Sequence, residues 1–339
     1  MPGNRKRIHF HWSATVALVA LLGMNLGGCQ TGPISAADAE RGPAPPFASP
    51  SFDQQFWSHW SDGKGELYGY DLTISRYRES RKGVAVTIFV TEPFSREVRV
   101  KADPGKHPKE DEFPVMKLNL VEDFPTGIYD YNWMTSSFLA LVSGSGRPAG
   151  FPSKVSFSSQ EWCGHVYSQL LFDAASIRRQ AHSYFDAEAD QEGTVDYPAD
   201  GIAEDALWFW ARGMAAPKLE PGASAQVKLL LSLQKARASH EALVWQPATL
   251  SRSAATESVR VPGGSFTVEK WTAAADGGVT RTFYVEAEFP HRIVKWETDD
   301  GEVAEMLAGD RLPYWQMHGE EFASAVETLG LSPRPPRTP

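Results

Sequence analysis

The chain is poor in cysteine, in basic charge and in histidine motifs. Its 339 residues include two cysteines, Cys29 and Cys163, so a framework of several disulfides is excluded. Asp and Glu total 42 against 33 Lys and Arg, a net charge of −9, and this acidic balance argues against nucleic-acid binding. The nine histidines form no His-Glu-x-x-His motif, and we expect neither a metal nor a cofactor.

A short apolar run lies near the N-terminus. Residues 13–26 carry no charge and follow the basic residues 5–7. This run is shorter than the roughly 20 residues that a membrane-spanning helix needs. A basic flank, a short apolar stretch and small residues at its end are typical of an export signal. We therefore predict a signal peptide over residues 1–28.

Residues 26–29, Leu-Gly-Gly-Cys, resemble a bacterial lipobox. The resemblance implies that the Cys29 sulfur receives a diacylglyceryl group, that cleavage follows Gly28 and that the new amine is acylated, for example with palmitate. Two or more acyl chains anchor a protein stably, whereas one does not. Because Gln30 rather than Asp follows, the usual sorting rule of a Gram-negative host implies an envelope protein on the outer membrane, facing the periplasm. The alternative is an ordinary secretory signal in which Cys29 is incidental.

Composition divides the rest of the chain into a tether, a body and a tail. Residues 29–51 join the cysteine to a segment rich in Pro, Ala and Gly, which we expect to be extended and poorly structured. Residues 52–330 form the globular body, with a possible division in the strand-poor stretch 190–225. The last residues, 331–339, are rich in proline, and we expect them to be disordered.

The body begins with a helix and continues with strands. Aromatic residues recur at helical spacing over residues 52–60, after which apolar residues occupy every second position. The first hairpin is predicted to turn at residues 79–83. This pattern predicts a mainly β fold, a large curled antiparallel sheet or open barrel with a few short helices. Further strands are expected at 127–134, 137–142, 162–171 and 226–233, among others, and short helices at 204–211 and 320–329.

Cys163 and His165 are the sharpest candidates for catalysis. On a strand they would point to the same face, and an imidazolium beside a thiol favours the thiolate nucleophile. Their side chains would lie about 6–7 Å apart, which is long for a hydrogen bond, and no third residue is evident to orient the imidazole. A free cysteine is more commonly a small buried apolar residue. A structural role is therefore the stronger interpretation.

Four tryptophans are candidates for ligand binding. Trp57 and Trp60, and likewise Trp208 and Trp210, stand close together in sequence. Tryptophan combines a large apolar surface with a polar N–H, so these residues are suited to the wall of a pocket for a lipid or a sugar. Packing within the core is the simpler interpretation of these residues.

Four stretches resemble a group of bacterial lipoproteins of unknown function. They are residues 56–67 (FWSHWSDGKGEL), 89–95 (FVTEPFS), 160–165 (QEWCGH) and 289–297 (FPHRIVKWE). The group is often labelled "septum formation inhibitor Maf", a label that implies a nucleotide pyrophosphatase of α/β type with a Ser-x-Ser-Pro-Arg motif near its N-terminus. In this chain Ser332-Pro333-Arg334 lies in the tail instead, so no catalytic residue is carried over.

Two classes of function remain open. The first is a non-enzymatic lipoprotein, anchored in the bilayer through Cys29, that binds an apolar ligand or another envelope protein. The second is a periplasmic enzyme that uses Cys163 and His165. A third interpretation, nucleotide hydrolysis, follows from the label alone and predicts a phosphate-binding loop with basic residues.

Replacement of Cys29 by Ser tests the lipid anchor. We expect Cys29→Ser to release the protein from membranes and to abolish incorporation of a fatty-acid label, because the acceptor sulfur is gone. Cys163→Ser is the matched control and should keep both properties. Equal labelling of the wild type and Cys29→Ser would contradict the lipobox interpretation.

Overall fold

The computed structural model describes residues 44–144, 146–186 and 188–333. Strands make up 52% of it and helices 12%, which confirms the predicted mainly β class. The sixteen strands found within these residues are β1 (Gly65–Arg76), β2 (Glu79–Ser95), β3 (Glu112–Thr126), β4 (Tyr129–Ala140), β5 (Pro152–Glu161), β6 (Gly164–Phe172), β7 (Ser176–Ser183), β8 (Gln191–Asp196), β9 (Gly201–Ala203), β10 (Ser224–Leu230), β11 (Trp245–Arg252), β12 (Glu257–Val261), β13 (Gly264–Ala275), β14 (Thr280–Glu286), β15 (Ile293–Thr298) and β16 (Val303–Leu312). The helices are α1 (Gln54–Trp60), α2 (Leu207–Ala211) and α3 (Leu233–Ser239), with 3₁₀ helices at Glu204–Ala206, Tyr314–Gln316 and Glu320–Leu329.

All of these strands belong to one sheet. Its order is β8-β7-β6-β5-β4-β3-β2-β1-β16-β15-β14-β13-β11-β10-β9, and β12 pairs with β13 beside this path. The chain therefore builds one half outward from β1, crosses to the opposite edge and returns to the centre, where β16 pairs with β1. Among the strand pairs of the described residues, β9 and β10 alone are parallel, because most other connections are short hairpins.

The sheet curls until its two edges approach each other. Strands β8 and β9 lie at opposite edges, yet only residues 197–200 connect them, a length that spans no more than about 17 Å. The Trp245 indole N–H donates to the Asp196 carbonyl at 3.0 Å, and its ring stacks on Tyr197 at 6.2 Å. The result is one large curled sheet that does not close, within the expected class of a curled sheet or open barrel. The stretch 190–225, where a division was considered, carries the chain between the edges of this one sheet.

The concave face of the sheet is filled by the segment Glu204–Ala211. Every residue of α2 is buried, and Trp210 packs edge-on against Trp271 at 5.1 Å. Trp208 packs in the same way on Phe283 at 5.4 Å, and Phe209 on Phe89 at 5.9 Å. Each buried aromatic side chain contributes about 2–3 kcal/mol. The interior is therefore a packed core rather than a large hollow.

Several predicted boundaries are wrong. The strands expected at 127–134 and 137–142 are the single strand β4, because Thr135 is buried in the sheet and the Ser136 hydroxyl donates to Asn119 at 2.8 Å. The first hairpin turns at Tyr77 and Arg78, both with positive φ, where glycine or asparagine would be the expected signal.

Two further segments differ from expectation. The strand predicted at 226–233 ends at Leu230, and the chain then forms α3, which Ser232 caps by accepting from the Lys235 N–H at 3.2 Å. The last part of the tether is ordered rather than poorly structured. Phe47 stacks on Phe151 at 6.4 Å, and Pro50 is buried against Gly150, where a Cβ would come within 2.5 Å.

A buried ion pair joins the start of the sheet to the segment after α2. Arg212 Nη1 lies 2.7 Å from Glu66 Oε1, and both side chains are at most 1% exposed. Arg212 also donates to the carbonyls of Pro290 at 2.8 Å and His291 at 3.0 Å. Burial alone would raise the pKa of Glu66, but Arg212 and His59 hold it below the ordinary value. One guanidinium thus connects β1, α2 and the turn before β15.

Replacement of Arg212 by Met should destabilise the protein by about 3–5 kcal/mol, because it removes the guanidinium that pairs with the buried Glu66 carboxylate. Urea unfolding followed by tryptophan fluorescence measures the change. The control is Arg178→Met, which removes a cation whose side chain is 52% exposed and pairs with Asp173; it should cost less than about 1 kcal/mol. Equal losses in the two variants would show that the buried pair has no special role.

Candidate functional site

The structure does not bring Cys163 and His165 together as a nucleophilic pair. Cys163 is exposed in the turn between β5 and β6 instead of lying on the predicted strand 162–171, and His165 is exposed at the start of β6. The Glu161 carboxylate accepts from the Cys163 N–H at 2.7 Å and raises the pKa of the thiol. A raised pKa disfavours the thiolate that a nucleophile requires.

The four candidate tryptophans occupy three different environments. Trp60 and Trp210 belong to the core, and the Trp210 N–H donates to the Pro217 carbonyl at 3.2 Å. Trp208 borders a small interior cavity of about 100 Å³. Trp57 borders an outer groove of about 420 Å³. They therefore do not line one common pocket.

Two general features of sites were also searched. Within residues 44–144, 146–186 and 188–333, no three His, Cys, Asp or Glu side chains are grouped so that they hold a metal ion. None of the helices that the structure describes has the length and apolar character needed to cross a bilayer.

A larger cavity lies on the convex face of the sheet. Its volume is about 620 Å³, and we call it the lysine cavity. Its floor is a row across β2 to β5 in which Val90, Lys117, Phe138 and Lys154 are successive register partners. Register partners share one face of a sheet, here the face opposite the buried Leu118. Its lining residues are Val90, Thr91, Glu92, Pro93, Phe94, Val100, Lys101, Lys117, Phe138, Lys154, Tyr314 and Trp315.

The lysine cavity carries uncompensated positive charge. Lys117 pairs with Glu92. Lys154 donates only to the Arg99 carbonyl, at 3.2 Å, and its partial burial lowers its pKa. Among the described residues, no carboxylate lies within ion-pairing distance of Lys154 or Lys101. Two ammonium groups therefore face a cavity in a chain whose net charge is −9.

Apolar side chains make up about half of the lining of the lysine cavity. Phe94 stacks on Phe138 with ring centres 4.9 Å apart, and Trp315 leaves 45% of its surface exposed at the rim. The Thr91 hydroxyl, the only hydroxyl of a small side chain in the lining, donates to the Trp60 carbonyl at 2.6 Å. The arrangement is suited to holding an anionic head beside an apolar body.

The small cavity on the concave side is surrounded by acids. It lies beneath α3, and we call it the acid cavity. Arg281 donates to Glu302 through two bonds of 2.7 and 3.2 Å, while Glu204 and Asp205 accept from the backbone N–H groups of Ser232 and Leu233. Its lining residues are Ile74, Ser75, Trp133, Thr135, Glu204, Asp205, Trp208, Ser232, Gln234, Lys235, Ala238, Val279, Arg281, Asp300 and Glu302.

Two buried acids, Asp205 in the lining and Glu122 close to it, have raised pKa values. Glu122, on the concave face of β3, is 1% exposed, and neither of its oxygens has a hydrogen-bond partner. Burial and the nearby Glu302 raise its pKa to about 8. Burial and the adjacent Glu204 raise the pKa of Asp205 to about 7.

The four stretches that carry the family resemblance occupy different places. Residues 89–95 supply five lining residues of the lysine cavity. Residues 56–67 and 289–297 meet at the Arg212 ion pair, where the His59 ring lies 5.1 Å from that of Phe289. Residues 160–165 form the exposed turn that holds Cys163. Nothing in the sequence marks the two lysines, because only the strand register places Lys117 and Lys154 on one face of the sheet, on either side of Phe138.

Comparison of the chain with known family profiles, with curated proteins and with solved structures finds no match. The functional argument therefore rests on the geometry of the two cavities.

The raised pKa of Glu122 predicts a specific dependence of stability on pH. In the unfolded chain its carboxyl has the ordinary pKa of 4.5, so the folded state binds the proton more tightly. Its contribution is fully present below pH 4.5 and is lost as the pH rises towards 8. Glu122→Gln cannot ionise, so its melting temperature should match the wild type at pH 5 and exceed it by roughly 5 °C at pH 8.5.

Circular dichroism melts from pH 5 to 9 measure this difference. Glu110→Gln, at an exposed acid, is the control and should follow the wild type throughout. Parallel curves for Glu122→Gln and the wild type would show that the two states of the protein bind this proton equally.

Proposed function

We propose that this protein is a lipid-anchored envelope protein that binds an anionic amphiphile, without chemical change, in the lysine cavity. The single observation that carries the proposal is the coincidence of about 620 Å³ of partly apolar space with two ammonium groups that have no carboxylate partner among the described residues. This volume lies within the usual range for small-molecule sites, about 300–1,000 Å³. The ligand class is an acyl-type molecule with a carboxylate or phosphate head.

The two parts of such a ligand would be bound by different forces. Lys154 is half-buried, and its hydrogen bond to a charged oxygen contributes more than a bond at a fully hydrated surface. The methylene groups of the tail gain about 0.8 kcal/mol each when they leave water for the surfaces of Phe138 and Trp315. The head group would determine orientation, and the tail would supply most of the affinity.

The position of the cavity supports an exchange of ligand with a bilayer. The lysine cavity and the groove beside Trp57 share Thr91, Glu92 and Pro93, so the two form a continuous surface. Trp57 belongs to α1, the first helix after the tether. The proposed anchor, Cys29, lies outside the described residues. Anchoring through its acyl chains would hold this end of the body near the outer membrane, where amphiphiles are concentrated.

The enzymatic alternatives gain no support from the geometry. The thiol of Cys163 has a raised pKa and an exposed position. Nucleotide hydrolysis would need a glycine-rich phosphate loop that opens a helix, and α1 and α3 are instead capped by Asp53 and Ser232. Binding is therefore the function that we put forward.

Fluorescence titration with 11-(dansylamino)undecanoic acid tests the proposal. We expect saturable binding, with Lys154→Met weakening it at least tenfold, because the substitution keeps the volume but removes the cation. Lys64→Met, at an exposed lysine outside the cavity, is the matched control and should bind like the wild type. Val100→Trp should also reduce binding by filling space at the rim.

The methyl ester of the same probe separates the head group from the tail. It should bind the wild type and Lys154→Met equally, because it carries no charge. Unchanged affinity of the acid in Lys154→Met and in Val100→Trp would remove the lysine cavity from consideration, and binding of acid and ester with one affinity would exclude an anionic head.

A further inference from the structure

We propose that a cavity beneath α3 binds a small organic acid through the guanidinium groups of Arg179 and Arg237. Its volume is about 220 Å³, and we call it the arginine cavity. It lies on the concave side of the sheet and shares no lining residue with the lysine cavity, so the inference does not depend on the proposed function. The argument rests on arginine N–H groups without acceptors, on the charge balance of the lining and on the size of the space.

Strands β6 and β7 form the floor of the arginine cavity. On β7, Arg179 lies between Ile177 and Ala181 on the face that is buried within the curl. Its register partner on β6 is the buried Leu170, and its partner on β8 is Gly193, which has no side chain. Register partners share one face of a sheet, so Arg179 has apolar or absent side chains beside it and lines the cavity.

The Arg179 guanidinium has no acceptor within the part of the chain that the structure describes. Its Nε is buried and makes no hydrogen bond there. No carboxylate of the described residues lies within ion-pairing distance of it, whereas the next residue, Arg178, points to the other face and pairs with Asp173 at 2.8 Å. Buried donors without a partner are rare and mark places where water or a ligand completes the network.

Arg237 projects from α3 into the same cavity. Its side chain is 9% exposed, and its guanidinium lies 3.9 Å from the centre of the Phe185 ring, a contact that holds it in place. Its Nε is also buried without an acceptor among the described residues. Its Nη1 lies 3.6 Å from Glu188 Oε1, which is too long for a hydrogen bond. The same Nη1 lies 3.3 Å from His240 Nδ1, but that ring nitrogen already bonds to Glu188.

Two carboxylates in the lining do not compensate both cations. Glu188 is shared between the His240 ring and Arg237. Glu241 is exposed at the mouth of the cavity, where water and salt screen its charge. The positive charge of Arg179 is therefore left for a ligand to neutralise.

The size and the chemistry of the arginine cavity favour a small carboxylic acid. About 220 Å³ corresponds to roughly seven water molecules, and hence to a ligand of about as many non-hydrogen atoms. A guanidinium binds a carboxylate through two parallel N–H···O bonds. Val166, Leu233 and Leu243 supply apolar walls for a short hydrocarbon body. The cavity is thus suited to a short acid and is too small for a long acyl chain.

The roof of the arginine cavity is fixed, and its mouth is open. Arg76 donates to the Ala238 carbonyl at 2.9 Å and so holds α3 on the sheet. Residues 240–242 border the cavity and are exposed, so a ligand reaches it directly from solvent. Because Arg237 is oriented before a ligand arrives, little side-chain freedom is lost on binding.

Isothermal titration calorimetry with sodium butyrate at pH 7 tests the inference. We expect saturable binding of butyrate and none of butyramide, which has the same shape without the charge. Arg179→Met should weaken butyrate binding about tenfold or more, because it removes charge-assisted hydrogen bonds. Arg178→Met, on the opposite face of the same strand, is the matched control and should bind butyrate like the wild type.

Two further variants locate the binding site. Ala236→Leu should also weaken butyrate binding, because Ala236 lines the cavity and a larger side chain fills part of it. Lys154→Met should bind butyrate normally, so failure at the arginine cavity is distinguishable from failure at the lysine cavity. Within the described residues Arg179 makes no hydrogen bond, so Arg179→Met should keep the fold, and a melting curve verifies this.

Several results would overturn the inference. They are the absence of butyrate binding in the wild type, equal binding of butyramide, and unchanged affinity in Arg179→Met and Ala236→Leu. Loss of butyrate binding in Lys154→Met alone would place the acid in the lysine cavity and would likewise overturn it.

Discussion

The short connection between β8 and β9 is the constraint on which the rest of this structure depends. Strands at opposite edges of a sixteen-stranded sheet are joined by four residues, so the sheet is forced to curl. A curled sheet needs something to fill its concave face, and the segment Glu204–Ala211, which follows β9 directly, fills it with Trp208, Phe209 and Trp210. Because the interior is already occupied, the two largest spaces, of about 620 and 420 Å³, lie on the outer side of the sheet, and the acid cavity inside the curl holds about 100 Å³.

Side chains alternate between the two faces of the sheet, and this alternation places lysines at the outer cavity and acids at the inner one. On β3, Lys117 points to the convex face and Glu122 to the concave face, since they are five positions apart and successive side chains alternate between the two faces. The neighbouring strands extend this division, with Lys154 on the outside of β5 and Arg281 within the curl. A chain of net acidic charge thereby presents a basic surface in one place and concentrates buried acids in another.

The sequence predicted the class of the fold but not its sites. Alternating apolar residues indicate strands wherever one face is buried, and the curled mainly β sheet was expected on that basis. The predicted position of the first turn was wrong because no glycine or asparagine marks the observed one. Tyr77 and Arg78 form it instead, with positive φ values that are unusual for residues with side chains. The residues that the sequence suggested as a catalytic pair, Cys163 and His165, are neighbours in sequence, and so are the tryptophans suggested for ligand binding. The groups that form the cavities are far apart in sequence, and only the register and the curl bring them together.

The pairing of β1 with β16 has a consequence for how the chain assembles. Gly65 lies opposite Leu312, so the middle of the sheet is a seam between the first and the last strand. Contacts between such distant parts of a chain close a very large loop, and they form late and slowly. Until the last strand arrives, β1 has an unpaired edge at what will become the centre of the sheet, and such edges recruit strands from other molecules. During biosynthesis this edge of β1 therefore needs protection until β16 pairs with it, either by a chaperone or by rapid completion of the chain.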